Sequence, residues 1–210
     1  YGSQAIGGAV NVIDKRIPTR MPDEDFHLDA FAGIDSATNL RTGAASLDVG
    51  IGENLVFHVD GSWRRTDDME IGGFQLSPQL REELLEEAAE KIADGEPEEA
   101  AEFREAADQR GFVPHSDMES FTVNAGLGLV LGESTFGFAV GYYDTNYGVI
   151  KRPGLKHDHG GGAPGAPVEE EEDENVRIDL QQFRADLKGD IYLGDGAFER
   201  LKVRVGYSDY

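Results

Sequence analysis

The sequence predicts an all-β chain, a partial antiparallel transmembrane β-barrel holding about seven strands of a larger barrel. Three observations predict it. Apolar and polar residues alternate with period two from about Asp25 to the end of the chain. Several of these runs extend ten residues or more, the ~9–11 that a tilted strand needs to cross a bilayer. The connections alternate between short and long, as in outer-membrane barrels with short periplasmic turns and long outer loops.

The strands can be taken in order. Ala45, Leu47, Val49 and Ile51 share one parity against Ser46, Asp48 and Gly50. Leu55, Phe57, Val59, Gly61 and Trp63 stand against His58, Asp60, Ser62 and Arg64. Phe121, Val123, Ala125, Leu127, Leu129 and Leu131 oppose Thr122, Asn124, Gly126 and Gly128. Phe136, Phe138, Val140 and Tyr142 repeat the pattern, as do Phe183, Ala185, Leu187 and Ile191, and then Leu201, Val203, Val205 and Tyr207. Successive strand side chains point to opposite faces. Each strand therefore carries one apolar and one polar face. The polar parity collects Asp48, Asp60, Arg64, Asn124, Arg184, Asp186, Lys188, Asp190, Lys202 and Arg204, a mixed-charge wall suited to a wet interior. His27 and His58 fall on it too. Trp63, Tyr142 and Tyr207 lie toward strand ends, where amphipathic rings make an interfacial girdle. A soluble sandwich gives the same alternation. Strand length and loop asymmetry decide against it, since soluble strands usually hold about five or six residues.

Gly52-Glu53-Asn54, Gly132-Glu133-Ser134 and Gly194-Asp195-Gly196 read as tight turns. A medium link runs from Ile34 to Asn39, and long ones from about Asp67 to Asp117 and from about Gly148 to Asn175. Seven strands leave two open edges, which lipid does not tolerate. The barrel therefore continues beyond this sequence. Tyr1 is not an initiator Met, and both ends look like the interior of a longer chain.

The first long connection contains a helical insert over 77–111. Ser77 is an N-cap with Pro78 at the first helical position. Leu80, Leu84, Ala88 and Ile92 recur every four residues, and Gly95 stops the helix. Pro97 to Arg110 predicts a second helix with Ala100, Phe103 and Ala107 inward. Its Glu-rich face reads as solvated helix surface, with a lid or partner-binding role as the alternative.

Composition narrows the function. Lys and Arg number 19 against 41 Asp and Glu, a formal net charge of −22. That disfavours nucleic acid, whose phosphates need cations. With no cysteine, disulfides, thiolate metal sites and cysteine nucleophiles are excluded. No apolar run reaches the ~18 residues of a spanning helix, which leaves a membrane barrel open. No nucleophile elbow, HExxH or P-loop pattern occurs, and Ser3 in YGSQA is not GxSxG. The sequence predicts no enzyme.

Tyr1-Gly2-Ser3-Gln4-Ala5-Ile6-Gly7-Gly8-Ala9-Val10-Asn11-Val12-Ile13, followed by Asp14-Lys15-Arg16-Ile17-Pro18, resembles the end of the plug in TonB-dependent outer-membrane receptors. That family carries YGS-x-A-x-GG-x-[VI]-N-[VI] just before the first barrel strand. The resemblance divides the chain into a plug end at 1–18 and a barrel part at 25–210. Within the family, the stretches Asn11–Pro18, Trp63–Asp68, Tyr147–Ile150 and Val176–Gln182 resemble the zinc-uptake subgroup. There a histidine- and acid-rich outer loop precedes a V-x-I-D-L-x-Q strand. This chain departs in having two histidines in that loop rather than a longer cluster.

The loop at 148–175 holds the metal candidates. His157 and His159 flank Asp158 at i,i+2 spacing, so an extended backbone puts both imidazoles on one face, within reach of a shared zinc. Glu169 and Glu170 begin an acidic run that can add oxygen ligands. Acid runs also suit calcium or simple charge repulsion, and a solvated loop tip that binds nothing remains open. His115 and Asp117, at the foot of the other long loop, are further candidates, with a satisfied surface pair as the plainer reading.

The resemblance implies a receptor in the outer membrane of a Gram-negative bacterium, importing a scarce nutrient. A divalent transition metal, zinc first, is the expected cargo, with no permanently bound cofactor. A siderophore or other metal chelate is the alternative, as is a passive or adhesive barrel. Expected partners are the TonB energy-coupling complex, reached through the plug's N-terminal part, outer-membrane lipid, and the metal ion or chelate.

Overall fold

The computed structural model describes residues 14–150 and 176–210. Seven strands form one antiparallel sheet in the order β1-β2-β3-β6-β7-β8-β9. They are β1 (Phe26–Asp35), β2 (Leu40–Ile51), β3 (Leu55–Thr66), β6 (Met118–Leu131), β7 (Ser134–Gly148), β8 (Arg177–Tyr192) and β9 (Arg200–Asp209). Each runs 10 to 16 residues, and every pairing is between neighbours in this order, without a register break.

The register carries the alternation across the whole sheet. Val49, Phe57, Leu127, Phe138, Leu187 and Val205 lie in one cross-strand row. The row one residue away reads Asp48, His58, Gly126, Ala139, Asp186 and Gly206. A slip by one residue would swap the faces of a strand.

Connections sort by end. At one end, β2–β3 and β6–β7 turn tightly, with Gly52 at φ 65° and Gly132 at φ 56°, a region open to glycine without steric cost. The expected tight turn at 194–196 is instead a seven-residue link, Leu193 to Glu199. Leu193 N–H donates to the Glu199 carbonyl at 2.8 Å, so pairing closes the link outside the glycines. At the other end lie the long connections and one four-residue link, 36–39, where the Asp35 carboxylate accepts from the Ala37 and Thr38 amides at 2.8 and 3.0 Å.

The long connection after β3 contains structure that periodicity did not predict. β4 (Met69–Phe74) and β5 (Arg110–Val113) form a separate two-stranded ribbon, too short for alternation to register. Arg110 therefore starts a strand rather than ending a helix. The ribbon carries α1 (Pro78–Ala93) and α2 (Pro97–Asp108). The Ser77 hydroxyl accepts from the Leu80 amide at 3.3 Å, and Gly95 follows α1 at φ 83°, as the sequence predicts. Leu84, Ala88, Ala100, Phe103 and Ala107 make a small core of their own. Ile92, expected inward, is exposed in the last turn of α1. Lys91 there pairs with Glu96 and Glu99 at 2.6 and 2.8 Å, hydrogen bonds that raise its pKa.

Arg81 fastens the hairpin. Its Nε donates to the Ala107 carbonyl at 2.6 Å, Nη2 meets Asp108 at 3.2 Å, and the guanidinium lies 3.3 Å over the Phe74 ring. A cation at a helix C-terminus also meets the favourable end of the dipole. Arg81→Ala should destabilise the hairpin by about 1–2 kcal/mol, read as faster hydrogen exchange in α1 and α2 with the main sheet unchanged.

Burial in the main sheet is inverted relative to a water-soluble layer. The apolar parity is open: Phe138 is 47% exposed, and Val205 in its row and the paired Leu129 and Phe136 of the next apolar row are exposed too. On the polar parity His58 is only 2% exposed, with Val56 and Ala139 fully covered.

Candidate functional site

The covered patch lies under the segment that precedes β1. Residues Arg16 to Pro18 cross the polar face over Gly126 and Gly128 of β6 and Gly137 of β7. A Cβ on Gly126 would collide with the Arg16 carbonyl oxygen, and one on Gly128 with that of Pro18. One on Gly137 would stand 2.7 Å from Ile17 Cγ2. Three glycines on adjacent strands thus leave a bare strip on which another backbone lies.

Charges fix the segment there. Arg16 donates to the Asp14 carboxylate through Nε at 3.0 Å and Nη2 at 2.7 Å, and its Nη1 lies 3.3 Å from Asp186 of β8. Arg184 also grips Asp186, at 2.8 and 2.9 Å. Burial works to raise the Asp14 carboxyl, and the Arg16 hydrogen bond and charge outweigh it, holding the group below its ordinary value. Lys15 reaches Asp29 of β1 at 4.0 Å.

A second network lies beside it on β2, β3 and β6. His58 Nδ1 faces Asp48 at 2.7 Å and Nε2 faces Asp60 at 2.9 Å. Asn124 donates to the other Asp60 oxygen at 2.8 Å. His27, by contrast, is exposed and touches Asp29 at 3.0 Å. Both histidines lie on the polar face, as the alternation predicts.

Next to the segment the same face opens into a hollow of about 670 Å³. Lys15, Arg16 and Arg184 line it together with Asp14, Asp29 and Asp60 and with hydroxyl and aromatic groups. Its mixture of both charge signs with hydroxyl and aromatic groups suits a polar solute or another stretch of chain.

At the long-connection end, Asp117 has a cationic partner from β8. Asp117 is held bidentately by Arg177, at 2.9 and 2.8 Å, and Arg177 also donates to Asn146 at 2.8 and 2.6 Å. His115 adopts φ 60°, with its backbone packed against Gly148. Asp68 caps this corner, accepting from the Ser116 and Asp117 amides at 3.0 and 3.2 Å. Among the described residues no group of three or more His, Asp or Glu side chains is arranged to hold a metal ion. His157, Asp158, His159, Glu169 and Glu170 lie outside the described residues, as does the motif from Tyr1 to Ile13.

The Arg177 hydrogen bonds hold the Asp117 carboxyl below its ordinary value. A depressed folded-state pKa contributes stability that is full above the unfolded value of ~3.9 and lost as pH falls through the folded value. Both side chains are more than a third exposed, so screening limits the contribution to at most about 1 kcal/mol. Acidification below pH 4 should release the Gly148 amide, which donates to the Asp117 carbonyl at 3.2 Å, to faster exchange. Asp117→Asn should show that faster exchange already at pH 7.

Sequence reasoning passed over Arg16, Arg81, Arg177 and the glycine strip. The strip did leave a signal: Gly126 and Gly128, at i,i+2 on β6, and Gly137 and Gly141 on the adjacent β7 all share the polar parity. Small residues repeated on one face of adjacent strands mark a close approach. The chain matches no protein-family model.

Proposed function

We propose that this chain forms part of the wall of a TonB-dependent outer-membrane receptor, with residues 14–18 the last stretch of its plug. The observation that carries the reading is the bounded apolar band on the exposed face. On β6 it runs from Phe121 to Leu131. Ten residue steps span about 33 Å along a strand, or about 24 Å at a 45° tilt, close to the apolar band of a membrane barrel.

The band stops at an edge that steps between β6 and β7. Arg41, Arg65 and Glu119 share one row just beyond Gly43, Trp63 and Phe121, and Asp144 and Gln181, opposite Phe121, lie just beyond Tyr142 and Phe183 on the same parity. Aromatic rings sit at that edge with their polar tips turned to it. The Trp63 indole N–H donates to Glu119 at 3.0 Å, and the Tyr142 hydroxyl donates to Asp144 at 2.9 Å. Rings with an apolar body in hydrocarbon and a wet tip behave this way at a membrane interface. The polar face, with the 14–18 segment pinned on its glycine strip, then faces the lumen.

In this reading the cargo is a divalent transition metal, zinc before others, by the resemblance of the loop at 148–175 to the zinc-uptake subgroup. His157 and His159 capture the ion at the surface with Asp158, Glu169 and Glu170 alongside. Ligand contacts that differ between plug states are what shift the plug, and the TonB complex supplies the pull. The full-length sequence should show an upstream plug and a short TonB-contact segment; their absence favours a passive barrel. For the cargo, zinc is titrated into the full-length protein and into its His157→Ala plus His159→Ala variant. The double variant should bind zinc about tenfold more weakly, since two of the three or four ligands a zinc site wants are removed. Equal affinity removes the loop as the capture site.

A further inference from the structure

We propose that Arg41 and Arg65 form a binding site for the phosphate of an anionic lipid headgroup on the outside of this wall. The proposal rests on the membrane reading above. Arg41 and Arg65 stand directly opposite each other on β2 and β3, both exposed, both on the apolar parity. Like charges directly opposite in an antiparallel pair destabilise it. Yet neither guanidinium has a hydrogen-bond or ion-pair partner among the described residues. Glu119, the cross-strand neighbour of Arg65, is turned to the Trp63 indole instead. In a chain with 41 acidic residues to 19 basic ones, two adjoining cations without a carboxylate are an unfilled anion site.

The surroundings define the anion. Ile34 pairs with Arg41 and is 88% exposed, and Trp63 lies two residues from Arg65 on the same face. Cations therefore sit just past the edge of the apolar band, with bare Ile34 beside Arg41 in the same row and Trp63 on the hydrocarbon side. A phosphate fits the two guanidinium forks, while the apolar part of the lipid packs beside Ile34 and runs down over Trp63. A free phosphate uses only the forks and leaves the apolar half of the site empty.

The test uses the full-length protein in a nonionic detergent, with bound lipid counted by native mass spectrometry. The probes are short-chain phosphatidylglycerol, phosphatidylcholine and inorganic phosphate. Wild type should retain phosphatidylglycerol over phosphatidylcholine, and R41Q plus R65Q should bind phosphatidylglycerol about tenfold more weakly, with R41K plus R65K between them. The single variant R65Q, expected to lose part of the binding, keeps the result readable should the double variant not fold. Equal retention by wild type and R65Q overturns the site. Displacement of the lipid by inorganic phosphate at the same concentration reassigns it to a simple anion site and overturns the lipid source. Insertion into vesicles, read by protease protection, separates this from the parent reading. A wild type that does not insert sinks the membrane assignment; one that inserts but binds no anionic lipid sinks only this site.

Discussion

Phe138→Arg should cost about 2–4 kcal/mol of folding free energy in lipid vesicles. Phe138 lies mid-band on β7, between Leu127 and Leu187 in the cross-strand register, and is 47% exposed. For a sheet whose exposed face meets water, an arginine at a half-exposed site changes stability by only about 0.5 kcal/mol. The two media therefore predict different magnitudes for one substitution. Ser62→Arg is the control. Ser62 is exposed on the opposite face of β3, and an arginine there should be tolerated, because a wet lumen solvates it. Urea titration of both variants in vesicles measures the difference. Similar small effects at both positions would remove the membrane assignment, and with it the import mechanism.

The second large effect is expected at the glycine strip. Gly126→Val places branched carbons where the Arg16 carbonyl lies. Overpacking of this kind costs about 1–3 kcal/mol, and the cheapest relief is to release the segment rather than to bend two central strands. Arg16 then leaves Asp186, and the Lys15 and Arg16 peptide bonds become open to trypsin. Gly72→Val is the matched control, since a Cβ there meets nothing within 4 Å. Cleavage after Lys15 or Arg16 should rise in Gly126→Val and stay at the wild-type rate in Gly72→Val. No rise in the first variant would mean that the segment is not held by the strip. In the receptor reading, that release is the local event that a pull on the plug must produce, so Gly126→Val should also leak small solutes through reconstituted protein.

Each of these results tests a different level of the chain. The first asks what lies against the Phe138 face. The second asks what lies against the Gly126 face. Period-two alternation states that the two faces differ, and the register extends that difference across seven strands. It does not state which partner covers either one.

What the sequence determined by itself was local and periodic. Alternation placed the seven long strands, because side-chain direction follows from backbone geometry alone. The cap at Ser77, the proline after it and Gly95 placed the first helix, because these act within one turn. The insert's inward residues were legible except Ile92, which the spacing placed inward and the packing of the hairpin leaves exposed. Tertiary structure alone decided the rest. The β4–β5 ribbon is too short to carry a period, so only pairing across 35 intervening positions defines it. The covering of His58, the docking of Arg16 on Asp186, the bidentate hold of Arg177 on Asp117 and the opposition of Arg41 and Arg65 all join residues far apart in the chain. Such contacts follow from register, which one-dimensional patterning limits to a parity but does not fix.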